Sequence, residues 1–408
     1  MRKSLFLALP LFALAMPLHA EPGLPDAAQV AQALDAHPSV LAANERVRAT
    51  QANADARAVG PHEITFSGSY NRRSVDLEGN YDEFDASLTR AFRLPGKARA
   101  DREIGVHQVD AAQNMAEDAR HQAALILASH WWDWLEASAQ AKVDARAVAN
   151  FETALNAVTR RVELGDASAL EADQAEAALG SARIMAETSA GKALLARTRL
   201  ETHFPALALP VEAPEIPQPD IEPGSLDRLY DLVLTNSHEI AAAEAEARAM
   251  SSNAERMRME RMADPSFGVR LFSERSGEER GIGVLFSIPL GGRNRAAQAN
   301  QAAAQASAAQ ADAQLAHFAV QETASTDLAE AEFRLSAWQR AREGLNSSVS
   351  ALNRMRRGHE LGEIDLADLL LAERMTHDAF RSEATARAAA QRAVTKLRID
   401  SHELWLGD

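Results

Sequence analysis

The 408-residue sequence contains no cysteine. Disulfide bonds, thiolate metal sites and lipid attachment to an N-terminal cysteine are therefore excluded. After residue 20, no stretch approaches the roughly 20 consecutive apolar residues that a membrane-spanning helix requires. Basic residues are outnumbered by acidic ones, 43 to 58, and the net charge of −15 argues against a nucleic-acid partner, which is bound mainly through its phosphates. If the mature chain crosses a membrane, it must do so with strands.

The first twenty residues have the pattern of an export signal. Arg2 and Lys3 precede the apolar segment "SLFLALPLFALAMPL", and "LHA" follows it. This pattern predicts a secretory signal peptide over residues 1–20, with cleavage before Glu21. A retained membrane anchor is the weaker alternative, because the apolar segment is short and contains two prolines. Cleavage would lower the net charge to about −17, since it removes two cations.

Two stretches of the sequence are nearly the same. They read "RRVELGDASALEADQAEAAL" at 160–179 and "RRGHELGEIDLADLLLAERM" at 356–375. Aligning Gly165 with Gly362 gives the shared pattern R-x-x-E-L-G-[DE]. Similarity continues upstream, where "FRLPGKARAD" resembles "FSIPLGGRNRAA". A period this long indicates duplication of one large unit and not a solenoid.

Each copy is predicted to contain short helices, a β-hairpin, a long helix, a corner and a returning helix. Alternating apolar and polar residues, as in "EITFSGSY" and "GIGVLFSIP", predict the strands. Long stretches without proline predict the helices, and six prolines between the copies predict an extended connector. The predicted boundaries are a first repeat at 21–204 (hairpin 63–92, long helix 98–163, corner 164–167), a connector at 205–224, and a second repeat at 225–408 (hairpin 266–289, long helix 293–361, corner 362–365).

The predicted fold class is mainly α with a small β part. Two hairpins supply only four strands, which cannot close a barrel or bury a face by themselves. Further copies of the same chain are the simplest source of additional strands.

The corners have the residues of tight helical reversals. Gly165 and Gly362 are predicted to end the long helices in the left-handed conformation. The predicted N-cap and N3 residues of the returning helices are Ser168 and Glu171 at the first corner and Asp365 and Asp368 at the second. A generic helical hairpin explains the glycines and the caps, but it does not explain why R-x-x-E-L precedes both glycines.

With these motifs the chain resembles the TolC-type outer-membrane efflux proteins, and most closely their heavy-metal (CzcC/CusC-like) branch. The resemblance covers nearly all of the mature chain. It rests on the duplicated unit, on the strand exits "LPGKARA" and "IPLGGRNRA", and on the paired R-x-x-E-L-G corners. The combination is specific, whereas any one of the three motifs is not.

The resemblance implies a homotrimer in which four strands per chain form a twelve-stranded β-barrel in outer-membrane lipid, continued by long coiled-coil helices in the periplasm. It implies that the corners dock onto a periplasmic adaptor (membrane fusion) protein that serves an inner-membrane resistance-nodulation-division pump. The implied docking residues are Arg160, Glu163, Leu164, Gly165, Asp166, Arg357, Glu360, Leu361, Gly362 and Glu363.

The second corner is also implied to carry the channel-entrance gate. Asp368 stands where relatives have an acidic residue, and Leu371 stands where a second acid is common. One acidic ring per trimer is therefore expected instead of two. The alternative role of Asp368 is N3 capping, and the sequence does not decide between them.

The implied function is passive conduction of substrates, with heavy-metal cations expected, out of the cell. Drug efflux and type I secretion by the same fold stay open, as does a secreted soluble coiled-coil protein of a different class. The chain has no catalytic motif, so no enzymatic activity and no cofactor are predicted. Twelve histidines raise the question of a metal site. Because no pair was identified at ligand spacing on a helix with a carboxylate partner, none is predicted.

Overall fold

The computed structural model describes residues 22–222 and 224–406. The predicted signal peptide lies outside the described residues. One order of elements occurs twice: two helices, two strands, a long helix and a returning helix. The first set is α1 (Ala27–Asp35), α2 (Pro38–Val59), β1 (Ile64–Val75), β2 (Gly79–Ala91), α3 (Pro95–Glu163) and α4 (Ala169–His203). The second is α5 (Ser225–Asn236), α6 (His238–Met259), β3 (Ser266–Glu274), β4 (Glu279–Ser287), α7 (Arg293–Glu360) and α8 (Leu366–Asp400). The predicted fold class is confirmed.

The two long helices contain 69 and 68 residues. α3 begins at a proline, which is tolerated in the first turn because the backbone N–H there has no intrahelical partner. The first half of α7 is rich in alanine, and Ala299, Ala302 and Ala306 are buried at spacings of three and four residues. Such a stripe of small side chains lets neighbouring helices approach closely. No helix within the described ranges is apolar over a length sufficient to cross a bilayer.

The four strands form one antiparallel sheet in the order β1-β2-β3-β4. The two hairpins are joined by pairing of β2 with β3, in which Leu88 lies opposite Val269. Alternation places apolar side chains of all four strands on one face, and these side chains are about half exposed or more. The members of this apolar face are Ile64, Phe66, Tyr70, Phe84, Leu88, Phe267, Val269, Leu271, Ile282, Val284 and Phe286.

The opposite face of the sheet carries most of the polar side chains, although Phe272 and Leu285 also lie on it. It carries ion pairs across neighbouring strands, between Arg73 and Glu83 at 2.7 Å and between Arg270 and Asp85. The exposed apolar side chains named above therefore share one face, as the sequence alternation predicts for β1, β3 and β4.

Contacts divide the chain into two compact units, and each takes segments from both repeats. Among the described residues, unit 1 contains 22–34, 129–220 and 337–391, and unit 2 contains 35–128, 221–222, 224–336 and 392–406. In unit 1, Phe151 and Val158 of α3, Leu179 of α4 and Leu366 of α8 belong to one buried cluster.

The proline-rich segment of unit 1 has neither helix nor strand, but it is packed. Phe204, Leu207 and Ile216 are buried. Arg197 of α4 donates hydrogen bonds to the carbonyl oxygens of Pro210 and Val211, both at 2.9 Å. These hydrogen bonds provide partners for backbone carbonyl groups that would be paired within a helix or a sheet if the segment were regular.

Candidate functional site: the two helical corners

Both long helices of unit 1 end in the same backbone arrangement. Gly165 and Gly362 have φ of +82° and +78°, the left-handed region that a side chain would strain. At the first corner, the N–H groups of Gly165 and Asp166 donate to the carbonyls of Val162 and Arg161 at 3.0 and 2.8 Å. The second corner repeats both bonds, at 2.9 Å each, with donors Gly362 and Glu363 and acceptors His359 and Gly358. Each corner is therefore a Schellman motif.

The returning helices are capped as the sequence predicts. Ser168 Oγ accepts from the backbone N–H of Glu171 at 3.3 Å, and the Glu171 carboxylate accepts from the N–H of Ser168 at 3.1 Å. The hydrogen bond with the Ser168 backbone lowers the pKa of Glu171 below its usual value. At the second corner, Asp365 Oδ1 accepts from the N–H of Asp368 at 2.8 Å. The predicted N3 position of Asp368 is therefore confirmed.

The arginine and glutamate of the shared motif form an ion pair within each corner. Arg160 lies 2.8 Å from Glu163, and Arg357 lies 3.1 Å from Glu360. All four side chains are more than half exposed, and such pairs contribute little to stability, about 0–1 kcal/mol. The arginines can therefore exchange these partners for others at low cost.

The tips also expose apolar side chains. Leu164 is 61% exposed and Leu361 is 60% exposed, and each is followed by its corner glycine. Nothing among the described residues lies within 4 Å of a side-chain carbon built on either glycine. At each corner, the structure thus places the predicted docking residues next to one another and on the surface.

Behind the tips, different side chains hold the turn in the two corners. The first corner has Arg161, whose guanidinium donates to the carbonyl of Asp166 at 3.2 Å. The corresponding residue of the second corner is Gly358, and a side chain there would lie 2.6 Å from Cδ1 of Ile364. His359 fixes that turn through a hydrogen bond between Nδ1 and the carbonyl of Ile364 at 2.8 Å.

The two predicted gate residues lie on one exposed side of α8. Asp368 and Leu371 are separated by about one turn, and Leu371 is 45% exposed. The neighbours Leu366 and Leu370 face the buried cluster instead. The backbone of Asp368 is used by the cap, and its exposed carboxylate stays available for another role.

A buried charged group of unit 1 was missed in the sequence. Asp144 of α3 is fully buried, and it lies 2.8 Å from His377 Nε2 and 2.5 Å from Arg381 Nη1, both on α8. Arg356 of α7 lies 2.7 Å from Glu373 of α8. These pairs tie α8 to its neighbours beyond the corner. The spacing of His377 and Arg381, four residues apart, was visible in the sequence, but their partner 233 residues away was not.

A search of the sequence for pairs of histidines does not identify a cluster that contains one histidine and two carboxylates. Asp118 and His121 lie one turn apart on α3, and the structure brings Glu239 of α6 to both of them. The pattern D-x-x-H was the available signal.

Comparisons with known proteins give one family and one fold. Residues 30–203 match the family model described as outer membrane efflux protein. Among curated proteins, none matches the sequence. The predicted resemblance to TolC-type channels is therefore borne out by this partial family match and by the fold, and the matched family and structures are transport channels and not enzymes.

Solved structures match over almost the entire chain. The open state of the MtrE outer membrane channel of Neisseria gonorrhoeae has a TM-score of 0.72 at 18% identity, covering 93% of this chain and 89% of that one. VceC of Vibrio cholerae has a TM-score of 0.69 at 16% identity, with coverages of 92% and 95%. CusC has a TM-score of 0.71 at 16% identity, with coverages of 92% and 91%. These similarities show a shared fold.

Proposed function

We propose that this chain, whose residues 30–203 match the outer membrane efflux protein family model, is the outer-membrane exit duct of a tripartite efflux system. It conducts substrates passively, and an inner-membrane pump supplies the energy. A homotrimer forms the duct, with its strands in outer-membrane lipid and its helices in the periplasm.

The apolar face of the sheet carries this proposal. Eleven apolar side chains cover one side of four adjacent strands, and they are exposed in the single chain. Apolar patches of this extent mark contact with lipid or a partner. The outer strands β1 and β4 each have one neighbour within the described sheet, so their free edges can pair with another copy. Three copies would close twelve strands and remove every edge, as lipid requires.

The competing proposal, a secreted soluble coiled-coil protein, does not account for this face. Such a protein would expose the apolar side chains to water at a cost of about 25 cal/mol for each Å². If detergent extracts the protein from outer-membrane fractions and light scattering gives the mass of a trimer, the proposed duct is supported. A monomer in the soluble fraction refutes it.

We propose that the paired corners are the docking surface for the periplasmic adaptor. Leu164 and Leu361 offer apolar contact, and the exposed Arg160 and Arg357 offer forked donors for carboxylates or carbonyls. The open space beside each glycine permits close approach of another backbone.

The test is adaptor pull-down by the purified trimer. Replacement of Gly165→Trp together with Gly362→Trp should abolish capture of the adaptor of the same cell. Because tryptophan at positive φ strains the turn, a second variant, Leu164→Ser with Leu361→Ser, removes the apolar contact and leaves the backbone unchanged. Undiminished capture by both variants would contradict tip docking.

The matched control places tryptophan on helices instead of corners. Gly180 of α4 and Gly344 of α7 are exposed, have ordinary helical φ, and have open space around them. Gly180→Trp with Gly344→Trp should capture the adaptor as the wild type does. A trimeric mass is required of every variant before comparison.

We further propose Asp368 and Leu371 as the channel entrance, and heavy-metal cations as the substrate. The first rests on their exposure side by side on α8, and the second on the resemblance of the strand exits and corners. Deletion of the gene should sensitise cells to Zn²⁺, Co²⁺ or Cd²⁺. Sensitivity to dyes and drugs with unchanged metal tolerance would assign a drug duct instead.

A further inference from the structure

A mixed histidine and carboxylate cluster lies in unit 2, away from the corners. Asp118 and His121 project from adjacent turns of α3, and Glu239 lies in the first turn of α6. Each offers one ligand atom, and the three atoms lie within 4.8 Å of one another. His121 is buried, whereas the two carboxylates are partly exposed. None of these residues has a role in the proposed duct.

The imidazole of His121 is oriented by a second carboxylate. Its Nε2 lies 2.8 Å from Oδ1 of Asp400, which is 4% exposed. The Nε2–H group therefore donates to Asp400, and Nδ1 presents its lone pair on the other side of the ring. A carboxylate that holds the outer N–H of a histidine is the usual support of a metal-ligating imidazole.

The side of His121 that carries Nδ1 faces the acidic ligand. Nδ1 lies 3.9 Å from Oδ1 of Asp118. That distance is too long for a hydrogen bond. Two ligands of a tetrahedral ion, each about 2.0–2.1 Å from the metal, lie about 3.3 Å apart. Shortening the distance between Nδ1 and Oδ1 by a small amount would therefore let both atoms bind one ion. A direct hydrogen bond between them would require a larger shortening.

Two further histidines, His402 and His238, lie near the cluster. The ring of His402 lies 5.4 Å from that of His121 and 4.8 Å from that of His238, between centroids. His238 and His402 help to line an open cavity of about 720 Å³.

We propose that Asp118, His121 and Glu239 bind a divalent transition-metal ion, with Zn²⁺ the best fit. One imidazole nitrogen and two carboxylate oxygens are a ligand set for Zn²⁺, and water completes the tetrahedron. The nitrogen ligand disfavours Mg²⁺ and Ca²⁺, and the absence of thiolates disfavours Cu⁺. The two carboxylates balance the charge of the ion. Bound metal would fasten the start of α6 to α3, and this role does not depend on which substrate the duct exports.

The test is a titration of the purified, metal-free trimer in detergent with Zn²⁺, in which binding is measured by isothermal calorimetry. The expected result is one saturable Zn²⁺ per chain. Asp118→Asn and Glu239→Gln keep the side-chain shapes and should each weaken binding at least tenfold. Asp400→Asn leaves the three ligands in place and should weaken binding by about 10–100-fold, the range found for such supporting carboxylates.

The matched control is Asp110→Asn. Asp110 lies on α3 two turns before Asp118, and it pairs with Arg248 of α6 at 3.0 Å, so it joins the same two helices outside the cluster. Its replacement should leave Zn²⁺ affinity unchanged. Absence of saturable binding to the wild type, or equal affinity in Asp118→Asn, Glu239→Gln and the wild type, would overturn the proposal. Either result leaves the duct untouched, because trimer mass and adaptor capture are measured separately.

Discussion

Lys97 occupies a position in unit 2 where one substitution should have a large effect. It lies in the first turn of α3 and is 1% exposed. Its Nζ lies 2.9 Å from Glu260, 2.9 Å from Asp264 and 2.7 Å from the carbonyl oxygen of Met262. These contacts use all three ammonium hydrogens, and they fasten the start of α3 to the turn between α6 and β3. We therefore choose Lys97→Met, which keeps the side-chain length and removes the charge.

The loss of folding free energy in Lys97→Met depends on the two carboxylates that lose their contact with the ammonium group. Removing one partner of a buried ion pair costs about 3–5 kcal/mol, because the remaining charge stays buried without compensation. Glu260 keeps Arg295 at 2.7 Å, and Asp264 keeps His62 at 2.8 Å, so the lower part of that range is expected. An unfolding entropy of about 2 cal/mol/K per residue converts a loss of about 3–4 kcal/mol to a Tm decrease of about 4–5 °C.

The pH dependence gives a second, independent signature. Partial burial would raise the pKa of Glu260 and Asp264, but hydrogen bonds from Lys97 and from Arg256 or His62 lower it below the usual value. A lowered carboxyl pKa stabilises the folded state above the ordinary pKa, near 4, and this stabilisation is lost as the pH falls. The deficit of Lys97→Met should therefore be full at pH 7 and should shrink below about pH 4.

The assay is thermal unfolding of the detergent-solubilised protein by circular dichroism, at one scan rate. Lys192→Met is the control, because Lys192 lies exposed on α4 and its loss should change Tm little. A Tm of Lys97→Met within 1 °C of the wild type at pH 7, or a deficit of constant size down to pH 3.5, would refute the reasoning.

Two further predictions concern single carboxylates. Asp368→Asn removes three negative charges per trimer from the proposed entrance and should lower the cation selectivity of channels in planar bilayers; unchanged reversal potentials would leave Asp368 a helix cap alone. Burial, together with a hydrogen bond to Asp400, raises the pKa of Asp327 to about 7 despite its contact with Lys396. A raised pKa destabilises the folded state as the pH rises from about 4 to 7. Asp327→Asn should therefore gain Tm relative to the wild type between pH 5 and pH 8, and a pH-independent difference would show that Asp327 does not titrate there.

Local features of the fold could be predicted from the sequence because short-range interactions determine them. The corner glycines, the caps at Ser168 and Asp365, and the alternating strands all depend on neighbours within a few residues. The boundaries of the long helices follow from proline and glycine for the same reason.

Contacts between distant segments could not be predicted. The register that sets Leu88 opposite Val269 joins residues of different repeats. Asp144 gains its partners, His377 and Arg381, only when α3 packs on α8. Contacts of this kind depend on how whole helices pack against each other, and they cannot be predicted from the spacing of residues in the sequence.

The two corners together indicate where an external constraint acts. Between duplicated segments, buried positions ordinarily change less than exposed ones, because packing restricts them. Here the half-buried Arg161 and Ala167 of the first corner correspond to Gly358 and Ile364 of the second, and the interior has been rebuilt. The turn conformation itself requires the glycine, but the exposed arginine, glutamate and leucine of the motif are also identical in both copies, although the ion pairs that the arginine and the glutamate form within the chain are worth little. This inversion supports the proposal that a partner outside the chain contacts both tips in the same manner, because a purely structural corner would not preserve these three exposed residues.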